Sequence, residues 1–240
     1  MAEYAREELL ACTVARLIGE AAHVAVGAAS PIPATACALL LAQGRPLRVS
    51  LLHKRAGNPF TEGSRELFDL AGQGRIDVFF LGAAQIDGRA NVNLVRAGGR
   101  RFPGSFGSAF MYFAARRTIL FREEHSPRVL VPKVDFVSAP GVSAAGVWRR
   151  GGPQALLTGM ALFRWQAERT RFRLESAHPG HDSAEIRART GFDYDLAEPL
   201  ASTPTPSAGE LALLRGPVAR EIAGNYPEFA RRVWGRVAPV

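Results

Sequence analysis

A short apolar run at residues 77–81 constrains the fold of this chain more than any other feature. Its sequence, DVFFL, is rich in β-branched and aromatic side chains and ends at Gly82. Such a run is typical of a strand buried on both faces in a parallel sheet. Polar side chains follow at once, around an Asp87-Gly88 turn. Ligands of open α/β folds bind beyond the carboxyl ends of the strands, so this loop is a candidate site. An Asp-Gly pair is equally the commonest signal of an ordinary connecting turn.

Extended and helical patterns alternate before this run. Strands are predicted at 23–27, 47–52 and 77–81, with helices at 31–43 and 64–71 between them. This succession predicts βαβ units and therefore an α/β fold with a parallel sheet.

The rest of the chain gives a less regular pattern. We predict a long loop at 85–107, helices at 107–116 and 183–189, strands at 118–121, 134–138, 155–163 and 171–176, and a capping box from Ser207 to Glu210. The length of 240 residues suffices for a well-formed core, and residues 1–240 are interpreted as a single domain.

Charge and composition exclude several classes of function. The formal net charge is +8, but the arginines are scattered instead of forming a stripe, so no nucleic-acid partner is expected. No apolar run approaches the ~20 residues of a membrane span, so no membrane partner is expected either. Cys12 and Cys37 lack disulfide or metal spacing, which favours the cytoplasm. The five histidines show no metal-ligand pairing, so no metal site is predicted.

A glycine-rich segment at residues 102–108, FPGSFGS, precedes the predicted helix at 107–116. Exposed backbone N–H groups at such a junction can bind an anion or an oxyanion that forms on a thioester carbonyl. The alternative is an ordinary entry into a helix with a serine cap.

Several ordered segments resemble the β subunits of class I CoA-transferases of the glutaconate CoA-transferase type. They are VAVGAASPIPATACALLLA (24–42), IDVFFLGAAQIDGRANVN (76–93), RFPGSFGSA (101–109), KVDFVSAPG (133–141), SAHPGHDSAEIRARTGFDYDL (176–196) and ASTPTPSAGELALLR (201–215). Their order and spacing together are more specific than any one of them alone.

The resemblance implies a fold, a partner and a substrate. The fold is an open, mostly parallel sheet with helices on both faces. The partner is an α-type subunit in a heterodimer or an α2β2 tetramer, and the substrate is an acyl-CoA, so that coenzyme A enters with the substrate and no cofactor is permanently bound. The implied CoA-ester cleft includes Gly82, Ala83, Ala84, Gln85, Asn91, Gly104, Ser105, Phe106 and Gly107.

The sequence departs from the family at the catalytic turn. The family places its nucleophilic glutamate after the second strand, where this chain reads Leu51-Leu52-His53-Lys54-Arg55-Ala56-Gly57, without a carboxylate. A cation cannot form the acyl anhydride that a carboxylate forms. His53 and Lys54 are the catalytic candidates, because a cation there could stabilise a substrate carboxylate or an enolate; the alternative is a solvated loop. Phe106 also replaces a family glycine.

Three hypotheses follow. The first is a β-like subunit of a heteromeric enzyme that hydrolyses or decarboxylates an acyl-CoA. The second is a true CoA-transferase whose nucleophile lies elsewhere. The third is a catalytically inactive subunit that completes the site of the α subunit.

Overall fold

A computed structural model describes residues 3–52, 60, 62 and 64–236. The catalytic candidates His53 and Lys54 lie outside these described residues. The main sheet has eight strands and is mostly parallel, which confirms the predicted α/β class. No helix in the described ranges is both long and apolar enough to cross a membrane.

The helices have the following bounds: α1 Arg6–Ile18, α2 Pro31–Ala42, α3 Ser64–Gly72, α4 Ser108–Ala114, α5 Ser183–Arg189, α6 Ala208–Leu213, α7 Ala219–Asn225 and α8 Pro227–Trp234. A π-helical turn at Leu214–Val218 joins α6 to α7, with a kink at Gly216. The predicted capping box is present at α6, where Glu210 N donates to Ser207 Oγ at 3.2 Å and Ser207 N donates to Glu210 Oε2 at 2.7 Å.

The strands of the main sheet are β1 His23–Val26, β2 Arg48–Leu51, β3 Val78–Leu81, β8 Arg117–Arg122, β9 Pro153–Thr158, β10 Ala161–Gln166, β11 Arg171–Ala177 and β12 Asp195–Ser202. Two small hairpins pair β4 Gln85–Ile86 with β5 Val92–Asn93, and β6 Arg96–Ala97 with β7 Arg100–Arg101.

The chain divides into two compact units. The first contains the described residues of the ranges 1–67, 76–78 and 204–240; the second contains 68–75 and 79–203. The interpretation of residues 1–240 as one domain remains a prediction.

In the first unit, β1 and β2 are parallel, and α1 and α2 bury most of their apolar side chains. Glu8 of α1 is also buried, and Arg215 donates to both of its oxygens at 2.9 Å. Trp234 Nε1 donates to the same carboxylate at 3.2 Å. These bonds compensate the cost of burying the carboxylate and tie α1 to the C-terminal helices.

In the second unit, the strand order is β12-β11-β10-β9-β8-β3. β8 and β9 are parallel, β9, β10 and β11 form an antiparallel meander, and β12 runs parallel to β11. The rings of Phe163, Phe172, Phe192 and Tyr194 pack together in the core, with centroids 5.1–6.4 Å apart.

The predicted strand at 155–163 is wrong as a single element, because a turn at Gly159 splits it into β9 and β10. The Thr158 hydroxyl stabilises this turn by accepting from the N–H groups of Met160 and Ala161 at 3.3 and 3.1 Å. The sequence is apolar on both sides of the turn, so its pattern does not reveal the reversal.

Two further predictions were wrong around the hairpins. Residues 134–138 form no strand, because the N–H of Asp135 donates to the side chain of Gln85 instead of to a neighbouring strand. Residues 85–107 are more structured than the predicted loop, since they contain both hairpins.

Strand β12 was missed altogether. Its burial alternates and several of its residues are exposed, and Pro199 lies within it. These features are typical of an edge strand, for which the sequence signal is weak.

Candidate functional site

The segment Gly82–Gln85 follows the buried strand β3, as the sequence predicts. Gly82 is exposed, and a Cβ at this position would lie 3.3 Å from the carbonyl oxygen of Phe121. Phe121 is near the carboxyl end of β8. Gly82 and Ala83 therefore lie at the carboxyl edge of the sheet in the second unit, where α/β folds place ligands.

The side-chain amide of Gln85 is buried and engaged by protein groups. Its Oε1 accepts from Asn93 Nδ2 at 2.8 Å and from the N–H of Asp135 at 3.0 Å. Ala84 contributes a backbone bond from its N–H to Asn93 O at 3.0 Å. Gln85 thus holds the β4–β5 hairpin against the segment 133–141; direct contact with a ligand stays a prediction.

Asn91, the other predicted amide, bridges two loops. Its Nδ2 donates to Asp87 Oδ2 at 3.1 Å, and its Oδ1 accepts from the N–H of Gly141 at 3.1 Å. Asp87 is buried, and its Oδ1 accepts from the backbone N–H groups of Arg89 and Asn91 at 3.0 and 3.1 Å. The Asp87-Gly88 turn is therefore closed by side-chain bonds.

Tyr112 and Arg149 complete this arrangement, and sequence reasoning missed both. Tyr112 is buried on α4, and its hydroxyl donates to Ala90 O at 2.9 Å. Arg149 Nη1 donates to Gly141 O at 2.9 Å and Nη2 donates to Tyr112 O at 2.8 Å. Burial raises the pKa of Tyr112 and lowers the pKa of Arg149. The only sequence signal for Arg149 was the Arg149-Arg150 doublet, which resembles the other arginine doublets of the chain.

The glycine-rich loop adopts left-handed backbone at two positions. Gly104 has φ +112°, and Phe106 has φ +46°. A phenylalanine rarely adopts positive φ, so this loop retains a backbone that a glycine would adopt more easily. A Cβ on Gly107 would lie 2.1 Å from Phe68 Cζ, which leaves room for glycine alone.

Phe106 belongs to a small aromatic cluster beside α3 and α4. The residue is 80% exposed, and its ring centroid lies 5.7 Å from that of Phe68. The ring of Phe110 lies 5.8 Å from that of Phe68 in an edge-to-face arrangement. Ser105 O accepts from Ser108 N at 2.9 Å, and α4 begins without a side-chain cap.

The structure thus brings Gln85 and Asn91 together with segment 133–141. It places the loop 104–107 at the start of α4, whose Tyr112 contacts the Asp87 turn. Among the described residues, no hydrogen bond or ring contact joins Gly82–Gln85 directly to Gly104–Gly107.

Two buried histidines lie near β9 and are not available for proton transfer with a ligand. His125 is bonded to Thr158 Oγ1 at 2.8 Å and to Thr190 Oγ1 at 2.9 Å. His178 is bonded to Thr203 Oγ1 at 2.8 Å and to Thr158 O at 3.0 Å. Burial lowers the pKa of each to about 4, so both are neutral near pH 7. Within the described ranges, no group of three or more His, Cys, Asp or Glu side chains is arranged to hold a metal ion.

The family model described as Coenzyme A transferase matches residues 42–188. This range contains β3, the Asp87 turn and the glycine-rich loop. The chain belongs to the coenzyme A transferase family.

Among curated proteins, this coenzyme A transferase family member is 31% identical over 163 residues to the β subunit of 3-oxoadipate CoA-transferase from Pseudomonas knackmussii. The match covers 63% of this chain and 62% of that protein. It is also 29% identical over 133 residues to the β subunit of glutaconate CoA-transferase from Acidaminococcus fermentans, covering 50% of this chain and 49% of that protein. The matched region therefore spans less than two thirds of either relative.

Among solved structures, the decarboxylase AibA/AibB superposes with a TM-score of 0.78 at 26% sequence identity. This similarity covers 98% of this chain and 100% of the matching chain. The resemblance to the β-subunit type of the family is confirmed by these comparisons.

Proposed function

We propose that this chain is the β-type subunit of a heteromeric enzyme that hydrolyses or decarboxylates an acyl-CoA thioester. The observation that carries the proposal is the turn after β2. β2 pairs with β1 in parallel register, and Leu52 N donates to Val26 O at 3.0 Å. The following residues, from His53 to Pro59, therefore begin at the carboxyl end of these strands, and they include no carboxylate.

Without a carboxylate at this turn, a covalent acyl anhydride on this chain has no nucleophile of the family's type. Decarboxylation does not need one. The bond between the substrate carboxylate and its neighbouring carbon breaks, CO2 leaves, and the electron pair moves towards the thioester carbonyl as an enolate, which then takes up a proton. The similarity to a decarboxylase over the whole chain supports this reaction.

In this proposal His53 and Lys54 supply positive charge to the substrate. A cation can orient the carboxylate before the reaction and stabilise the enolate that forms, and such electrostatic stabilisation is often the largest contribution to catalysis. The proton for the enolate, or the water for hydrolysis, comes from the partner or from solvent.

The second unit supplies the proposed binding surface for the CoA ester. Gly82, Ala83 and Ala84 form a small-residue edge after β3, and Gln85 and Asn91 hold the neighbouring turn in place. In loop 104–107 the backbone N–H groups of Phe106 and Gly107 have no acceptor among the described residues. They are the proposed donors to the thioester oxygen. The exposed ring of Phe106 is the proposed wall of the acyl pocket.

The proposed partner is an α-type subunit. Apolar side chains are exposed on α4 and on the segment after residue 140, where Trp148 is 71% exposed and its ring packs edge-to-face on Phe113 at 6.3 Å. Large exposed apolar side chains of this kind are typical of protein–protein contact sites. The pairing of two different chains in AibA/AibB supports the same partner type.

The test is to co-express the chain with an α-type subunit and to incubate the purified pair with a panel of CoA esters of mono- and dicarboxylic acids, with and without acetate. Release of CO2 or of free CoA is measured together with acetyl-CoA. We expect CO2 or free CoA from at least one ester, and no acetyl-CoA. Acetyl-CoA formed at a rate comparable to the other products would overturn the proposal in favour of a true transferase.

The double variant His53→Ala, Lys54→Ala tests the role of this chain in the chemistry. We expect its turnover number to fall at least about 100-fold, because the lost charge acts on the transition state. Arg220→Ala, which removes an exposed charge from α7, is the control and should be unaffected. Unchanged turnover in a normally folded double variant would indicate the inactive-subunit hypothesis.

A further inference from the structure

A cleft of about 790 Å³ opens in the second unit beside the Asp87 turn. Its walls are the turn itself, the residues around Lys133, the β10–β11 turn and the residues after α5. We call it the Asp87–Phe192 cleft. Its volume is in the range of small-molecule and cofactor sites, which is about 300–1,000 Å³.

The cleft carries an excess of positive charge. Four cations line it, namely Arg89, Lys133, Arg169 and Arg171. Arg169 Nη1 lies 2.6 Å from Asp195 Oδ2 and Arg171 Nε lies 3.3 Å from Asp195 Oδ1, so one carboxylate serves two arginines. Asp193 at the rim lies 3.7 Å from Arg187 Nη1.

Arg89 and Lys133 are the two cations without a counter-ion. Both are exposed, and neither side chain forms an ion pair or a hydrogen bond with any residue that the structure describes. Asp87, the carboxylate two positions before Arg89, already accepts hydrogen bonds from Arg89 N, Asn91 N and Asn91 Nδ2. Two positive charges at one wall are therefore free to bind an anion.

The remaining lining is partly apolar. Pro132, Val142 and Phe192 contribute to it, and Phe192 packs against Gly88 so closely that a Cβ there would lie 3.1 Å away. Two residues with left-handed backbone flank the opposite walls: Ala90, with φ +59°, and Thr170, with φ +48°. Such backbone costs about 1–3 kcal/mol per residue and is concentrated at ligand sites.

The cleft lies at the opposite end of the strands from Gly82. β10 pairs antiparallel with β9, with Arg164 opposite Ala155, so the β10–β11 turn at 167–170 lies near the first residues of β9. Gly82 instead lies beside Phe121, near the last residues of β8, which is parallel to β9. The two places are at different edges of the same strands, so the cleft is separate from the proposed thioester-binding edge.

We propose that the Asp87–Phe192 cleft binds an organic polyphosphate of the nucleoside diphosphate class. Its phosphates contact Arg89 and Lys133, the arginine pair at Arg169 and Arg171 faces it from the other wall, and its ring lies on Pro132 and Val142. The proposal concerns binding at the cleft alone and holds whether or not the chain turns over a thioester.

The test is binding of ADP, pyrophosphate and coenzyme A to the full chain, or to its complex with the partner, by isothermal titration calorimetry at low and high salt. We expect ADP to bind, and Arg89→Ala, Lys133→Ala to raise its Kd at least about tenfold, because each charge-assisted contact contributes roughly 1.5–3 kcal/mol. Arg89→Lys, Lys133→Arg should restore most of the affinity. Arg220→Ala, Arg231→Ala removes two exposed charges from α7 and α8 and should leave Kd unchanged.

The outcomes separate the sources of the ligand. Binding of ADP but not of coenzyme A at the cleft indicates a free nucleotide, whereas competition between them indicates the nucleotide end of coenzyme A. Absence of binding, or an equal Kd in wild type and in the Arg89 and Lys133 double variant, would overturn the proposal. Equal weakening in the Arg220 and Arg231 control would overturn it as well, since the effect would then be one of net charge.

Discussion

The backbone N–H of Gly141 donates to the side-chain oxygen of Asn91 at 3.1 Å, across 50 residues of sequence. The two segments approach so closely that a Cβ on Gly141 would lie 2.2 Å from the carbonyl oxygen of Arg89. One bond and one close contact thus fix the Asp87 turn against the segment after residue 140, and both can be tested by single substitutions.

Gly141→Ala should destabilise the chain strongly. The neighbouring atoms are backbone, which moves less readily than a side chain, so we expect a loss of at least about 2 kcal/mol in the free energy of unfolding. Urea unfolding followed by circular dichroism measures it. Gly209→Ala, at an open position on α6, is the control and should be neutral or slightly stabilising. Equal stability of the two variants would contradict the close contact.

Asn91→Ala should cost about 1–3 kcal/mol, because it removes the acceptor of Gly141 N–H and a donor to the Asp87 carboxylate. The same urea experiment gives the value. Asn225→Ala, which loses only a 3.3 Å bond at the end of α7, should cost well under about 1 kcal/mol. A cost for Asn91→Ala no larger than that of the control would show that the bridge is not needed for stability.

At Phe106 the usual order of alanine and glycine should reverse. The residue has φ +46°, which costs an L-residue roughly 1–2 kcal/mol and glycine little. We therefore expect Phe106→Gly to be more stable than Phe106→Ala in thermal unfolding. At Phe110, inside α4, the glycine variant should be the less stable one by about 1 kcal/mol. The same order at both positions would contradict the left-handed backbone at Phe106.

Stability should fall as the pH drops below about 6.5, because His125 and His178 are buried and neutral. Their pKa is about 4 in the folded chain, against 6.5 for an ordinary histidine. The unfolded chain therefore binds protons between pH 6.5 and 4 that the folded chain does not. Each histidine should remove up to about 1.4 kcal/mol of unfolding free energy per pH unit in this window.

Urea unfolding at several pH values between about 7 and 5 measures this slope, above the range in which carboxylates titrate. His178→Asn should reduce the slope by about half, whatever it does to the absolute stability. A free energy of unfolding that is constant across this window would contradict the burial of the two neutral rings.

Much of the fold follows from local pattern. The buried run before Gly82 is strand β3, the helix predicted at 183–189 is α5 with the same bounds, and the capping box opens α6. The ordered segments around these elements predicted the coenzyme A transferase family, and the family match confirms it. The pattern failed at Gly159, where both strands of the hairpin are equally apolar, and at β12, which is an exposed edge strand.

The partners of the polar side chains could not be predicted in the same way. The sequence alone determined the strand–helix order, the family and the missing carboxylate after β2, because each depends on residues close together in the chain. Only the tertiary structure decided that Gln85 and Asn91 bond to residues about 50 positions away and that Arg149 supports Tyr112. It also decided that Arg89 and Lys133 face one cleft. Hydrogen bonds and charges act through space at a few ångströms, and residues that are distant in sequence come within that range only when the chain is folded.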